Sequence, residues 1–360
     1  VGSYSAGIPM QTQRLLTRIA FREAVLARDG DKCVSCGAVG VPLNAHHILE
    51  RRLFLDGGYY LDNGATLCDP TCHMKAESTE LSVEDVRRMA GITTVVLPDH
   101  LYQDGTVYDK WGNPILPNGL RLKGELLADE SVRRVLAPVM DLFTPHVKAP
   151  RTYHLPWSPG KTRDDRVLAD LTGFEGREVV VTVKMDGENT SIYGKDGFVH
   201  ARSVEPLSPH PSRDRVKALA AMVGSELHEG WRLTGENITA KHSIHYTHLA
   251  ENPAWYFNVF NLWTDLNVCL PWDEVVEWAT LLDLPTVPVL YRGIWDEKIV
   301  RGLFAGTFEG DPMEGYVVRV TDGFPLRDYA RVVGKYVRAG HVTSSNHWRS
   351  EMPVFNSPGA

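Results

Sequence analysis

Lys184 closes a β-branched run, Val179-Val180-Val181-Thr182-Val183, and is followed by Met185, Asp186 and Gly187. Such a run predicts a buried strand, and Asp-Gly predicts the turn after it. A lysine at that strand end is partly desolvated, so its ammonium can release a proton and attack an electrophile. A second reactive set lies nearer the amino terminus, where Cys33-x-x-Cys36 is followed about thirty residues later by Cys68-x-x-x-Cys72. Two short thiolate knuckles facing each other supply the four ligands of a tetrahedral Zn²⁺ site. Cys269 stands alone, and clustering of the other four favours metal over disulfides.

Further pieces follow Lys184 in order: Asn189; Ala201-Arg202-Ser203; Thr234-Gly235-Glu236-Asn237; Tyr256-Phe257-Asn258-Val259-Phe260; Met313-Glu314-Gly315-Tyr316; Val333-Gly334-Lys335-Tyr336. Their order resembles the motif signature of the covalent nucleotidyltransferase superfamily, the ATP-dependent ligases and RNA capping enzymes, over roughly residues 150 to 350. The resemblance implies that Lys184 carries AMP from ATP through a phosphoramide bond. It implies that Glu236 binds the ribose and that Phe260 stacks on adenine, with Phe257 an alternative because stacking needs only a flat apolar face. Glu314 takes the place of a carboxylate that organises catalytic Mg²⁺ or Mn²⁺, Arg202 and Lys335 neutralise phosphate charge, and Asn189 helps hold metal-bound water or a 5′-phosphate. Many relatives carry two lysines in the last motif; here Val333 occupies the first place, with Arg331 or Arg338 as compensating cations. Few residues of this sequence follow Lys335, so the OB-fold that capping enzymes and most DNA ligases place after the last motif is not expected. The segments His154-Leu155-Pro156-Trp157-Ser158-Pro159-Gly160, Lys184 to Asn189 and Lys335-Tyr336-Val337-Arg338 together resemble the nick-sealing branch of the ATP-dependent RNA ligases. This resemblance implies a partner of nicked duplex nucleic acid with RNA at the 3′-OH side; a DNA-nick ligase is the alternative.

Between and beside the cysteine knuckles stand Ala45-His46-His47-Ile48, Asp62-Asn63 and His73. This set resembles the HNH endonuclease motif, a ββα unit around one divalent metal. It implies that His47 is a general base, that His46 and His73 bind the metal, and that Asn63 holds the loop that orients the base. If His73 lies on a helix, Glu77 shares its face one turn on and can join the metal shell. Such a module either cleaves nucleic acid or only docks it, and both readings stay open. A nuclease with a ligase-like binding domain is a further alternative, opposed by the presence of Lys184, Glu236 and Glu314 together.

These residues need elements to position them. Apolar spacing predicts a helix over 14–29 and another over 78–89; 124–140 has a helical pattern with Pro138 inside it. The expected domains are an HNH-like zinc module over 1–91, a connector with some structure over 92–148, and the RNA ligase nucleotidyltransferase domain over 149–360. The expected fold class is α+β, with antiparallel sheets enclosing a nucleotide cleft. The 360 residues are 43% hydrophobic and include 22 prolines, enough for two cores. The opening Val-Gly-Ser reads as a cloning remnant, and no signal-peptide pattern or membrane-length apolar run is evident, so a cytoplasmic location away from membranes is expected. The net charge of −7, from 38 basic and 45 acidic residues, excludes a nonspecific nucleic-acid coat, though a local basic groove remains compatible with nucleic acid.

Overall fold

The computed structural model describes residues 14–102, 104–247, 252–340 and 354–356. The chain divides after Thr144 into two compact units. In the first, helix α1 spans Arg18–Arg28, with Thr17 accepting from the Ala20 amide as its cap. Its buried residues Phe21 and Val25 lie one turn apart, and the helix packs on a two-stranded antiparallel sheet of β1, Leu43–His47, and β2, Gly64–Cys68. All five residues of β2 are buried. The chain then enters α2, Thr71–Glu77.

The helix expected over 78–89 is shorter. Thr79 adopts a positive φ of 62°, which a helix cannot accommodate. The chain restarts at α3, Val83–Met89, where the Ser82 hydroxyl accepts from the Asp85 amide and caps one of the orphan donors. Over 124–140 the pattern is likewise interrupted. Helix α4 covers Glu130–Leu136 behind an Asp129 cap, then tightens into a 3-10 turn over Ala137–Leu142, since Pro138 lacks the N–H to continue the ladder. The stretch read as a connector also packs on this unit: Lys110 Nζ donates to the His47 carbonyl at 2.9 Å and Trp111 Nε1 to the Glu77 carbonyl at 2.8 Å.

The second unit is built on two sheets. One runs through β3, Tyr153–His154; β4, Glu178–Val183; β10, Val289–Ile294; β11, Gly315–Val320; and β13, Val333–Val337, in spatial order β10-β4-β11-β13-β3. The other contains β5, Glu188–Tyr193; β6, Val199–Ala201; β7, Arg232–Asn237; β8, Phe257–Trp263; β9, Val268–Cys269; and β12, Phe324–Pro325, in order β12-β9-β8-β7-β5-β6. Pairing is antiparallel throughout except that β3 joins the edge of β13 in parallel, with Lys335 opposite His154. Both sheets are thus antiparallel as expected, with one parallel edge. A parallel edge is reachable here because β3 and β13 are far apart in sequence, so no tight hairpin constrains them.

Val179, Val180 and Val181 have no exposed surface, because β4 is a central strand covered on both faces. Each such side chain contributes roughly 1.5–3 kcal/mol of burial. The apolar core continues through Leu155, Phe174, Phe257, Trp263 and Tyr316. Lys184 to Gly187 form the crossover from β4 in one sheet to β5 in the other. Among the described residues no helix is long and apolar enough to cross a membrane.

Candidate active site and metal centres

The crossover places Lys184 where the two sheets meet. Its backbone N–H donates to the Gly315 carbonyl at 3.0 Å, extending the β4–β11 ladder one residue past the strand. Its Nζ lies 2.6 Å from Glu314 Oε2, and the Glu314 side chain is only 7% exposed. The following turn is clamped twice. The Asp186 carboxylate accepts from Ser243 N, Ser243 Oγ and Ile244 N, each at 2.7 Å. Gly187 N donates to Glu236 Oε1 at 3.1 Å, and a Cβ on Gly187 would stand 2.5 Å from the Asn237 carbonyl, so only glycine permits this approach.

A cavity of about 220 Å³ opens beside Lys184, walled by Asn189, Arg202, Glu236, Phe260, Arg319 and Lys335 among others. Residues from both sheets thus converge on one space. Phe260 sits at the irregularity in the β7–β8 register between Val259 and Asn261, the kind of bulge that re-aims a side chain. Phe257 has no exposed surface and packs against Gly235, so of these two rings it is Phe260 that lines the cavity, together with Trp272 and Tyr329. Arg319 does not pair with Glu314; it is buried and donates to Asn261 Oδ1 at 2.7 Å and the Leu270 carbonyl at 2.9 Å. Asn189 Oδ1 is buried without a hydrogen-bond partner, and such an atom in a native structure calls for a ligand or water.

Charge in this cavity is strongly coupled. Burial acts to lower the Lys184 pKa, but the Glu314 carboxylate, helped by Glu236, more than offsets it and holds the ammonium above its usual range. Burial pushes Glu236 up to about 8 against the opposing pull of Lys184, which leaves its acid form able to donate a hydrogen bond near neutral pH. Burial, then repulsion from Lys184, lowers the Lys335 pKa. An anion entering between Lys184, Arg202 and Lys335 relieves that repulsion, while Glu314 and the Asn189 oxygen are hard donors suited to Mg²⁺ or Mn²⁺.

In the first unit the ligand atoms of Cys33, Cys36, Cys68 and Cys72 lie within 4.8 Å of one another. Cys36 Sγ and Cys68 Sγ are 3.7 Å apart, close to the roughly 3.8 Å edge of a tetrahedron with Zn–S bonds of about 2.3 Å. Burial pushes the Cys33 thiol up, yet backbone N–H groups of Cys36 and Cys68 bring it down to about 7, and amides aimed at sulfur favour the thiolate a metal binds. The donor set fits Zn²⁺.

A second group comprises His46, His73 and Glu77, again within 4.8 Å. Glu77 Oε1 is its hub, 3.2 Å from His46 Nδ1 and 3.3 Å from His73 Nε2. The i, i+4 spacing on α2 brings His73 and Glu77 to one face, and strand alternation sends His46 and His47 to opposite faces of β1. His47 accordingly stacks on Phe21 of α1, centroids 4.7 Å apart, with Tyr59 edge-on at 5.1 Å. Burial and Lys110 lower its pKa to about 4, keeping the imidazole neutral. Asn63 is buried and staples the loop: Oδ1 accepts from Leu49 N, and Nδ2 donates to the carbonyls of Leu49 and Gly58.

Two site residues have no signal in the sequence. Lys110, only 4% exposed, reaches Glu77 at 3.2 Å and Glu50 at 3.6 Å, through a fold-back that no motif marks. Arg151 lines the cavity that also holds Lys184 and Val333, whereas Arg331 and Arg338 are not among its walls. The parallel β3–β13 pairing brings it there, and pairing between such distant segments leaves no local pattern to read.

Among curated proteins no sequence matches this chain. Solved structures that resemble it include a lysine-to-alanine mutant of the Naegleria gruberi RNA ligase with ATP and Mn, at 18% identity and TM-score 0.35, covering 54% of this chain and 62% of that one. An archaeal ATP-dependent RNA ligase shows 18% identity and TM-score 0.36, with 54% and 48% covered. A putative ATP-dependent DNA ligase from Aquifex aeolicus shows 17% identity and TM-score 0.37, with 54% and 50% covered. The chain thus spans less than two thirds of the length of each. Residues 177–337 match the family model described as RNA ligase, a span that holds the whole set from Lys184 to Lys335.

Proposed function

We propose that the second unit is an ATP-dependent RNA ligase that seals 3′-OH/5′-phosphate nicks through a covalent lysyl-AMP. The observation that carries this reading is Lys184 Nζ paired at 2.6 Å with the buried Glu314 carboxylate, in a cavity that also presents Glu236, Phe260, Arg202 and Lys335. The Lys184 amine loses a proton and attacks the α-phosphorus; an N–P bond forms and pyrophosphate leaves. A 5′-phosphate oxygen then displaces the lysine, and a 3′-hydroxyl displaces AMP with loss of its own proton. Each displacement is in line at a charged centre, so positioning and charge stabilisation carry the catalysis. Phe260 stacks the base, Glu236 engages the ribose, and Arg202 and Lys335 offset the phosphate charge. Mg²⁺ or Mn²⁺ held at Glu314 would add charge neutralisation at the phosphates.

The test is incubation with radiolabelled ATP and Mg²⁺ or Mn²⁺, followed by denaturing electrophoresis. A covalent, acid-labile label on the chain is expected, and its absence overturns the assignment. Sealing assays on nicks with RNA or DNA at the 3′-OH side then separate an RNA ligase from a DNA-nick ligase.

The first unit supports a second reading, carried by the His46, His73 and Glu77 donors beside the Asn63 staple. We infer a zinc-stabilised HNH-like module in which these three hold a divalent ion and neutral His47 serves as base, or in which the same surface docks nucleic acid without cutting. Cleavage in Mg²⁺ or Mn²⁺ without ATP favours the first form; nick binding weakened by His47→Ala without any cleavage favours the second.

A further inference from the structure

A groove of about 500 Å³ adjoins the nucleotide cavity and shares Pro150, Arg151, Arg202 and Tyr329 with it. Its walls carry five cations, Lys148, Arg151, Arg166, Arg202 and Arg327, and no carboxylate. In a chain of net charge −7, such a one-signed surface is a local concentration of positive potential against the overall balance. The cations come from separated parts of the chain: the lead-in to β3, the loop after it, the end of β6, and the 3-10 turn Leu326–Asp328. Lys148, Arg151, Arg166 and Arg202 are exposed. Arg166 is also held in place, with Nη1 donating to the Tyr153 hydroxyl at 2.8 Å and its guanidinium 5.7 Å from that ring's centroid.

The geometry points to this groove as the track for the strand that bears the 5′-phosphate, its terminal phosphate at Arg151 and Arg202 and its preceding backbone over Arg166 and Lys148. The assignment rests on the ligase reading and adds the path of the substrate to it. Arg151 and Arg202 belong to both spaces, so a phosphate seated between them lies beside the nucleotide cavity, where a 5′-phosphate must be to receive AMP. The remaining cations, Lys148, Arg166 and Arg327, line the groove and not the nucleotide cavity. A polyanion that continues away from the cavity matches their arrangement, and guanidinium groups suit phosphate through their planar donor pairs. Contacts of this kind position a strand without reading its sequence.

The experiment uses the full chain and the double variant Lys148→Ala/Arg166→Ala, which leaves the walls of the nucleotide cavity intact. Binding of a fluorescent nicked duplex is measured across salt concentrations, alongside covalent labelling by ATP. The variant is expected to bind the nick on the order of tenfold more weakly near 0.1 M salt, with the slope of log affinity against log salt reduced by about 1 to 2. Labelling at Lys184 should match the wild type, and Lys148→Arg/Arg166→Lys should restore both affinity and slope. Unchanged nick affinity and slope in the double variant overturn the assignment. A raised KM for ATP or lost competition by inorganic pyrophosphate, with nick binding intact, also overturns it and gives the groove to the triphosphate tail. If the wild type takes no label from ATP while the variant still loses nick affinity, the groove stands as a nucleic-acid track and the ligase reading falls.

Discussion

At the scale of single residues, the barrier of the proposed reaction depends on an ion pair, Lys184 with Glu314, that is already formed before substrate arrives. Glu314 raises the proton affinity of Lys184, so the free enzyme stores the nucleophile in its unreactive form. The attacking species is the neutral amine, whose fraction grows about tenfold per pH unit below its pKa. The rate of covalent labelling at limiting ATP should therefore climb from pH 7 to pH 9, and a flat profile would contradict the role of Lys184. Glu236, pushed up to about 8 by burial, titrates in the same window; Glu236→Gln should remove any inflection there and leave the rise. Lys184→Ala should abolish labelling and ATP-dependent sealing, yet retain part of the sealing of a nick already carrying a 5′-adenylate, since that step does not use the amine. In the first unit, His47→Ala should lower any ATP-independent nicking by roughly 10²–10⁴-fold and leave sealing of a preformed nick unchanged. Gel assays of both activities on one preparation decide this.

At the scale of elements, the site depends on how closely β11 and β13 approach. Gly315 pairs with Val337, and a Cβ on Gly315 would lie 1.9 Å from the Tyr336 carbonyl oxygen. The clash is with backbone, which has no rotamer to yield, so Gly315→Ala has to spread the strands. Overpacking of this kind costs about 1–3 kcal/mol, and the melting temperature of the second unit should fall by several degrees. Because Glu314 precedes Gly315 and Lys335 sits on the displaced strand, labelling by ATP should fall further than the lost stability accounts for at a temperature where the protein stays folded. Thermal melting together with labelling at 20 °C checks this, and wild-type values for both would show that the close approach is not needed.

At the scale of the whole molecule, the two units have different sources of stability. The second has an extensive core running through both sheets, whereas the core of the first is smaller and includes Cys33, Cys68 and Cys72 themselves. Zinc bound by such a set contributes folding energy directly. A zinc-selective chelator in excess Mg²⁺ should strip about one zinc per chain, remove the melting transition of the first unit, and spare labelling at Lys184. Cys33→Ser/Cys36→Ser should do the same. Metal analysis that finds no zinc in protein purified without chelator would refute the site.

Much of this protein was legible before folding was considered, and the reason differs by feature. The run at Val179–Val183, the Lys184 crossover and the two cysteine knuckles are local: a few adjacent residues and their spacing dictate strand, turn and ligand pair. Helix ends were misread where a single residue decided them, as at Thr79 with its positive φ and at Pro138 with its missing donor. The choice of Phe260 over Phe257 was open in the sequence, because which face of β8 meets the cavity depends on a register irregularity with β7. Likewise His46 and His47 are adjacent in sequence, yet one meets α2 and the other meets α1. Arg151, Lys110 and the basic groove were invisible. Their positions follow from a parallel strand pairing and from fold-backs between distant segments, and contacts of that kind are set by packing of the whole chain, leaving no mark in any local stretch of it.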